Sequence, residues 1–90
     1  MGSNELKIKG MSLKATVQVG KSGLNGSIVR EIDEQLEKRE LVKVKMLRSM
    51  GPLKQWKEEV EEMAVRLGAT LVEIKGGTVL LHRRGAKKGI

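Results

Sequence analysis

The segment Val17-Gln18-Val19-Gly20-Lys21-Ser22-Gly23-Leu24-Asn25 constrains the fold of this chain more than any other. Apolar and polar residues alternate through Val19 with the period of a half-buried strand. The run then breaks into a GxxG loop, and its two glycines let the backbone adopt φ > 0 and approach another backbone closely. Asn25 is a predicted N-cap for a following helix, whose unsatisfied N–H groups point back at the loop. Such a bend suits a phosphate, and Lys21 adds a point charge within it. This geometry fits the sugar-phosphate backbone of a nucleic acid better than a small metabolite.

The remaining elements follow from periodicity. Residues 1–14 read as an extended arm or a short helix, and residues 15–19 as the first strand. Ile28, Ile32 and Leu36, with Val29 beside them, place an apolar stripe on a helix over residues 25–40. Leu41-Val42-Lys43-Val44-Lys45-Met46 alternates strictly, lysine outward. Gly51-Pro52 interrupts the chain and starts a second helix, with Leu53, Trp56, Val60, Met63, Ala64 and Leu67 inward and Gly68 as its C-terminal cap. Two further strands, residues 71–75 and 78–82, flank Gly76-Gly77, a tight hairpin turn.

The order β-α-β-α-β-β predicts a two-layer α/β domain with a four-stranded mixed sheet. The first three strands run one way, through right-handed crossovers, and the last is antiparallel. With two helices on one face, Thr16, Gln18, Lys43, Lys45, Glu73 and Lys75 are left on the other, open to water or a ligand. The expected organisation is an N-terminal arm or helix (1–14), one domain (15–84) and a basic mobile tail (85–90).

The chain has 90 residues and a formal charge of +7, and the distribution of that charge is informative. Residues 25–40 carry five acids against Arg30, Lys38 and Arg39, a balance of −2; residues 53–67 carry four against Lys54, Lys57 and Arg66, a balance of −1. Everything outside those two segments therefore sums to +10. A positive field segregated to loops, strands and tail is the footprint of a polyanion binder. With no cysteine, thiolate metal sites and disulfides are excluded. No apolar run approaches the roughly 18–20 residues of a membrane span, and the N-terminus shows no signal-peptide pattern, so a cytoplasmic location without membrane contact is expected.

Gly20-Lys21-Ser22 resembles the end of a Walker A motif, but the glycine required five positions upstream of Gly20 is Ala15. The glycines at 20, 23 and 26 also miss the dinucleotide fingerprint. His82 is the only histidine, so no triad or metal cluster assembles around it. No cofactor, no metal and no enzymatic activity are expected. Trp56 falls on the inward face of its helix and reads as core. Near-absence of aromatics argues against binding by stacking bases on Phe and Tyr, whereas GxxG loops clamp backbone nucleotides in KH domains.

Three ordered blocks carry a family resemblance: residues 17–24, Glu40-Leu41-Val42-Lys43-Val44-Lys45, and Gly77-Thr78-Val79-Leu80-Leu81-His82-Arg83. Over residues 11–84 the chain resembles the CRM domain, the chloroplast RNA splicing and ribosome maturation family that includes YhbY-type proteins. The resemblance implies an RNA-binding domain related in fold to the C-terminal domain of translation initiation factor three. It also implies, for a single-copy chain, association with precursors of the large ribosomal subunit. Carried over by position, the RNA-contacting loop falls on Gly20, Lys21, Ser22 and Gly23, with Lys43 and Lys45 nearby and Arg83 as the strand-ending arginine. The chain departs from the family in two places. Gly10-Met11-Ser12-Leu13-Lys14-Ala15 stands where members carry a longer lysine-rich helix and its approach to the first strand, and His82 replaces a tyrosine.

The expected function is binding of structured ribosomal RNA by a monomer, through residues 20–23 together with Lys43, Lys45, Arg48, Arg83 and Arg84. An Alba-like chromatin or RNA-coating protein shares the element order but uses a long hairpin arm. A protein-interaction adaptor docking through the acidic second helix is the third reading.

Overall fold

The computed structural model describes residues 3–84. The basic tail expected at 85–90 lies outside the described residues. Eight elements follow one another: α1 (Ser3–Ser12), β1 (Val17–Val19), α2 (Gly26–Lys38), β2 (Leu41–Met46), a 3-10 turn (Arg48–Met50), α3 (Leu53–Arg66), β3 (Thr70–Lys75) and β4 (Thr78–His82). The sheet order is β1-β2-β4-β3. β1 and β2 are parallel, and β4 is antiparallel to both of its neighbours, β2 and β3. The first three strands therefore share a direction, as the crossovers require.

Local chemistry sets the boundaries. The Asn25 side chain accepts from the Ile28 amide at 3.0 Å and starts α2. Arg39 turns extended at φ −133°, ψ 136°, ending α2 and leading into β2. Pro52 caps α3, where its missing N–H costs nothing, and Gly68 follows the helix at φ +65°. Between α2 and α3 and one sheet face lies a single core: Ile32, Leu36, Trp56, Val60, Met63 and Ala64 against Val17, Val19, Val42, Val44, Met46, Val79 and Leu81. Each large side chain withdrawn there contributes about 1.5–3 kcal/mol of transfer free energy.

β3 carries a bulge between Leu71, paired with Leu81, and Glu73, paired with Leu80. The extra residue shifts the pleat, so Leu71 and Ile74 both pack on the core although they are three apart.

The second sheet face differs from expectation. α1 packs across β2, β3 and β4, so the face opposite the core is partly covered. Gly10 makes this possible, because the space a Cβ would fill is occupied by the Leu80 side chain. Leu80 is 4% exposed while lying outside the main core cluster. Lys43 is drawn into this arrangement. Its ammonium donates to the Leu13 carbonyl at 3.2 Å, just past the end of α1, and at 3.1 Å to the Gly10 carbonyl, which also accepts from the Leu13 amide. Thr16, Gln18, Lys45 and Lys75 remain exposed. Within the span 1–14, expected as an arm or short helix, the described residues form a docked helix over Ser3–Ser12.

Candidate nucleic-acid interface

β1 and β2 end at the same edge of the sheet, with Val19 level with Met46. Their following loops meet there. The Leu47 amide donates to the Val19 carbonyl at 2.8 Å, carrying the parallel ladder one step beyond the strands. Loops beyond the carboxyl ends of parallel strands are where α/β sheets place ligands.

The GxxG loop closes on itself through the Gly23 amide, which donates to the Gly20 carbonyl at 2.8 Å. Gly23 sits at φ +72°, the left-handed region that a side chain would strain. Lys21 and Ser22 at the tip are exposed. Gly20 rests against the neighbouring turn: a Cβ there would lie 3.3 Å from Leu47 Cδ1 and 3.5 Å from Ser49 Oγ. That neighbour is the 3-10 turn carrying Arg48, closed by the Gly51 amide on the Arg48 carbonyl at 2.9 Å. Trp56 Nε1 then donates to the Gly51 carbonyl at 3.0 Å, so the buried indole, read from the sequence as core alone, also anchors the Arg48 turn.

Lys45 lies one position before the end of β2, on the face opposite the core. It stands in a cross-strand row: Gln18 beside Lys45 on β1, Thr78 beside it on β4, and Lys75 beyond Thr78 on β3. The hairpin Gly76-Gly77 closes this row at the GxxG edge, where the Met46 amide donates to the Gly77 carbonyl at 2.6 Å. Sequence reasoning placed Lys75 on this face but not among the binding residues. Its proximity to Lys45 depends on β4 inserting between β2 and β3, and no local pattern encodes that insertion.

The opposite flank of the loop has the other sign. A groove beside Ser22, Gly23 and Asn25 is lined by Glu59 and Glu62 of α3, with Arg66 at its end. A polyanion is therefore repelled from the α3 side and drawn toward Lys21, Arg48, Lys45 and Lys75.

The candidate binding residues separate into two groups. Gly20, Lys21, Ser22, Gly23, Lys45 and Arg48 converge at one edge. Arg83 and Arg84 do not, because His82 pairs with Leu41 at the start of β2. The length of a six-residue strand, roughly 17 Å, separates the two ends. Arg83 is also engaged within the fold. Nη1 meets Asp33 Oδ1 at 2.6 Å and the Leu67 carbonyl at 2.9 Å, while Nη2 meets the Asp33 carbonyl at 3.0 Å and Glu37 Oε1 at 3.3 Å. With its side chain 13% exposed, the guanidinium ties β4 to α2 and to the end of α3. Lys43 is likewise committed to the α1 carbonyls. Both read as cations available to a ligand from sequence, and both serve the architecture. Arg84 is exposed beside Arg83.

Among the described residues no group of three or more His, Asp or Glu is placed to hold a metal ion, and no helix is long and apolar enough to cross a membrane.

Fold and site together define an α/β domain, with α2 and α3 on one face of a four-stranded mixed sheet and α1 across the other, that presents a glycine loop and a cationic edge at the ends of its parallel strands. The chain belongs to the CRS1 / YhbY (CRM) domain family, which matches residues 3–83. The match includes α1, so the N-terminal helix is part of the domain despite Gly10 in its second half. A Bacillus subtilis relative named "Probable RNA-binding protein YqeI" is 35% identical over 79 residues, covering 87% of this chain and 79% of the relative. A Methanocaldococcus jannaschii relative named "Probable RNA-binding protein MJ0652" is 32% identical over 78 residues, covering 87% of this chain but only 58% of the relative. The solution structure of Staphylococcus aureus SAV1595 superposes with a TM-score of 0.80 at 27% identity, covering 96% of this chain and 88% of that one.

Proposed function

We propose that this chain is a non-enzymatic RNA-binding protein that recognises structured ribosomal RNA during maturation of the large ribosomal subunit. RNA binding is supported by the family and by the names its relatives bear. The single observation that carries it to this site is the exposed Lys21-Ser22 tip, set between glycines and packed beside the Arg48 turn at the ends of two parallel strands. Backbone N–H groups of the loop approach phosphates, and Lys21, Lys45, Arg48 and Lys75 supply affinity that is independent of sequence. The ribosomal target rests on the resemblance of a single-copy domain to ribosome-associated members of the family.

Competition between large-subunit ribosomal RNA fragments and duplex DNA tests the reading. Four phosphate contacts give a log–log salt slope of roughly −3 to −4, and the RNA wins the competition. Preference for duplex DNA returns the chain to the coating-protein reading, which the two-residue Gly76-Gly77 turn disfavours. Salt-insensitive association with a protein, and no RNA binding, favours an adaptor docking through α3.

A further inference from the structure

We propose that the recess between α1 and the second sheet face receives a single unpaired RNA base carrying an exocyclic amine, guanine above all. The inference rests on the RNA-binding reading above and adds a base-selective subsite to it. The recess has a volume of about 240 Å³ and is lined by Gly10, Met11, Lys43, Glu73, Lys75, Thr78 and Leu80. That is below the roughly 300–1,000 Å³ of pockets for drug-sized ligands, a size suited to one base rather than to a larger metabolite.

Its chemistry is mixed in the manner a base requires. Leu80 provides an apolar floor, and Met11, 73% exposed on α1, stands at the mouth with a polarisable thioether for an aromatic ring. In a chain without Phe or Tyr, this is an alternative to aromatic stacking. Among the described residues, neither the Glu73 carboxylate nor the Lys75 ammonium has a hydrogen-bond or ion-pair partner. Lys43 is not a competitor, because its ammonium is held by the Gly10 and Leu13 carbonyls.

An ionised carboxylate only accepts hydrogen bonds. The guanine Watson–Crick edge offers it two adjacent donors, N1–H and the N2 amine. Cytosine offers one amine, and uracil sets carbonyl oxygens on both sides of its single N–H. Glu73 therefore selects for guanine and against uracil. The recess lies on β4 and β3, two to three strand spacings from the GxxG loop, or roughly 10–14 Å across the sheet. The Lys45–Thr78–Lys75 row lies along that path for the intervening phosphates.

The test compares the full chain's affinity for UUUUUUU and UUUGUUU RNA, in wild type, Glu73→Gln and Lys21→Asp/Ser22→Asp. Wild type is expected to favour the guanine oligomer at least about fivefold. Glu73→Gln, on a half-buried strand position, is expected to erase that preference while leaving UUUUUUU affinity unchanged. The double variant weakens both oligomers by the same factor. Guanosine monophosphate should shift the amide resonances of Thr78 and Leu80 in wild type, a readout that does not require the oligomer to bind. RNA binding without guanine preference, or a preference that survives Glu73→Gln, overturns the subsite and leaves the loop reading standing. No binding of either oligomer, together with no binding of ribosomal RNA, overturns both.

Discussion

Arg83 and Asp33, 50 positions apart, meet at 2.6 Å and fasten the end of β4 to the middle of α2. The same guanidinium also reaches Glu37 and the Leu67 carbonyl, so one side chain joins a strand to two helices. Arg83→Ala is expected to destabilise the fold by about 2 kcal/mol, the range for hydrogen bonds to charged groups. This allows for Asp33 being 44% exposed and partly screened. The midpoint of thermal unfolding falls by roughly 10 °C for a domain of this size. RNA affinity of the folded variant stays at the wild-type value, because the residue lies at the far end of the sheet from the loop. A urea melt and a binding titration on the same sample check both halves.

Lys43→Gln removes the ammonium that binds the Leu13 carbonyl and is a second donor to the Gly10 carbonyl. The expected cost is about 1 kcal/mol, with faster amide exchange confined to α1. The salt slope of RNA binding is unchanged, whereas a lysine contacting phosphate would lower its magnitude by nearly one unit. Hydrogen exchange followed by mass spectrometry reports the first effect, and titrations at several salt concentrations report the second.

Much of this architecture is legible in the sequence because it is local. The stripe of Ile28, Ile32 and Leu36, the alternation of residues 41–46 and the Gly76-Gly77 turn each define an element without knowledge of the others. What was not legible depends on distant partners. Alternation places Lys43 and Lys45 on one face but does not say that α1 covers the first and leaves the second exposed. Nothing local accounts for Gly10 inside α1 until Leu80 is seen in the space a Cβ there would fill. Arg83 is basic in any reading, and only the tertiary fold brings Asp33 and Glu37 to it. The hairpin makes β3 and β4 neighbours, but the insertion of β4 beside β2, which brings Lys75 toward Lys45, is a property of the assembled sheet.

Gly23 and Gly26 make a matched pair. Neither has a heavy atom within 4 Å of where a Cβ would sit, but only Gly23 has a positive φ, at +72°. Gly23→Ala is expected to cost about 1 kcal/mol through backbone strain alone and to weaken RNA binding by reshaping the loop. Gly26→Ala, in the first turn of α2, is expected to stabilise by roughly 0.5–1 kcal/mol with binding retained. Denaturant midpoints of the two variants should move in opposite directions.

Trp56→Phe keeps most of the buried ring but removes the N–H that holds the Gly51 carbonyl. The expected loss is about 1–2 kcal/mol, combining the missing hydrogen bond and the smaller ring. The Arg48 turn loosens with it, so binding to ribosomal RNA weakens although no contacting residue has changed. An Arg48→Ala substitution made in both backgrounds separates the effects: it costs less affinity in Trp56→Phe than in wild type.

The central claim is that RNA phosphates are received at the tip between Gly20 and Gly23, and Lys21→Asp/Ser22→Asp addresses it most directly. Both positions are exposed, so circular dichroism and the melting midpoint should stay at wild-type values. Affinity for large-subunit ribosomal RNA, titrated at one fixed salt concentration, is predicted to fall below detection. Wild-type affinity in this folded double variant would contradict the account.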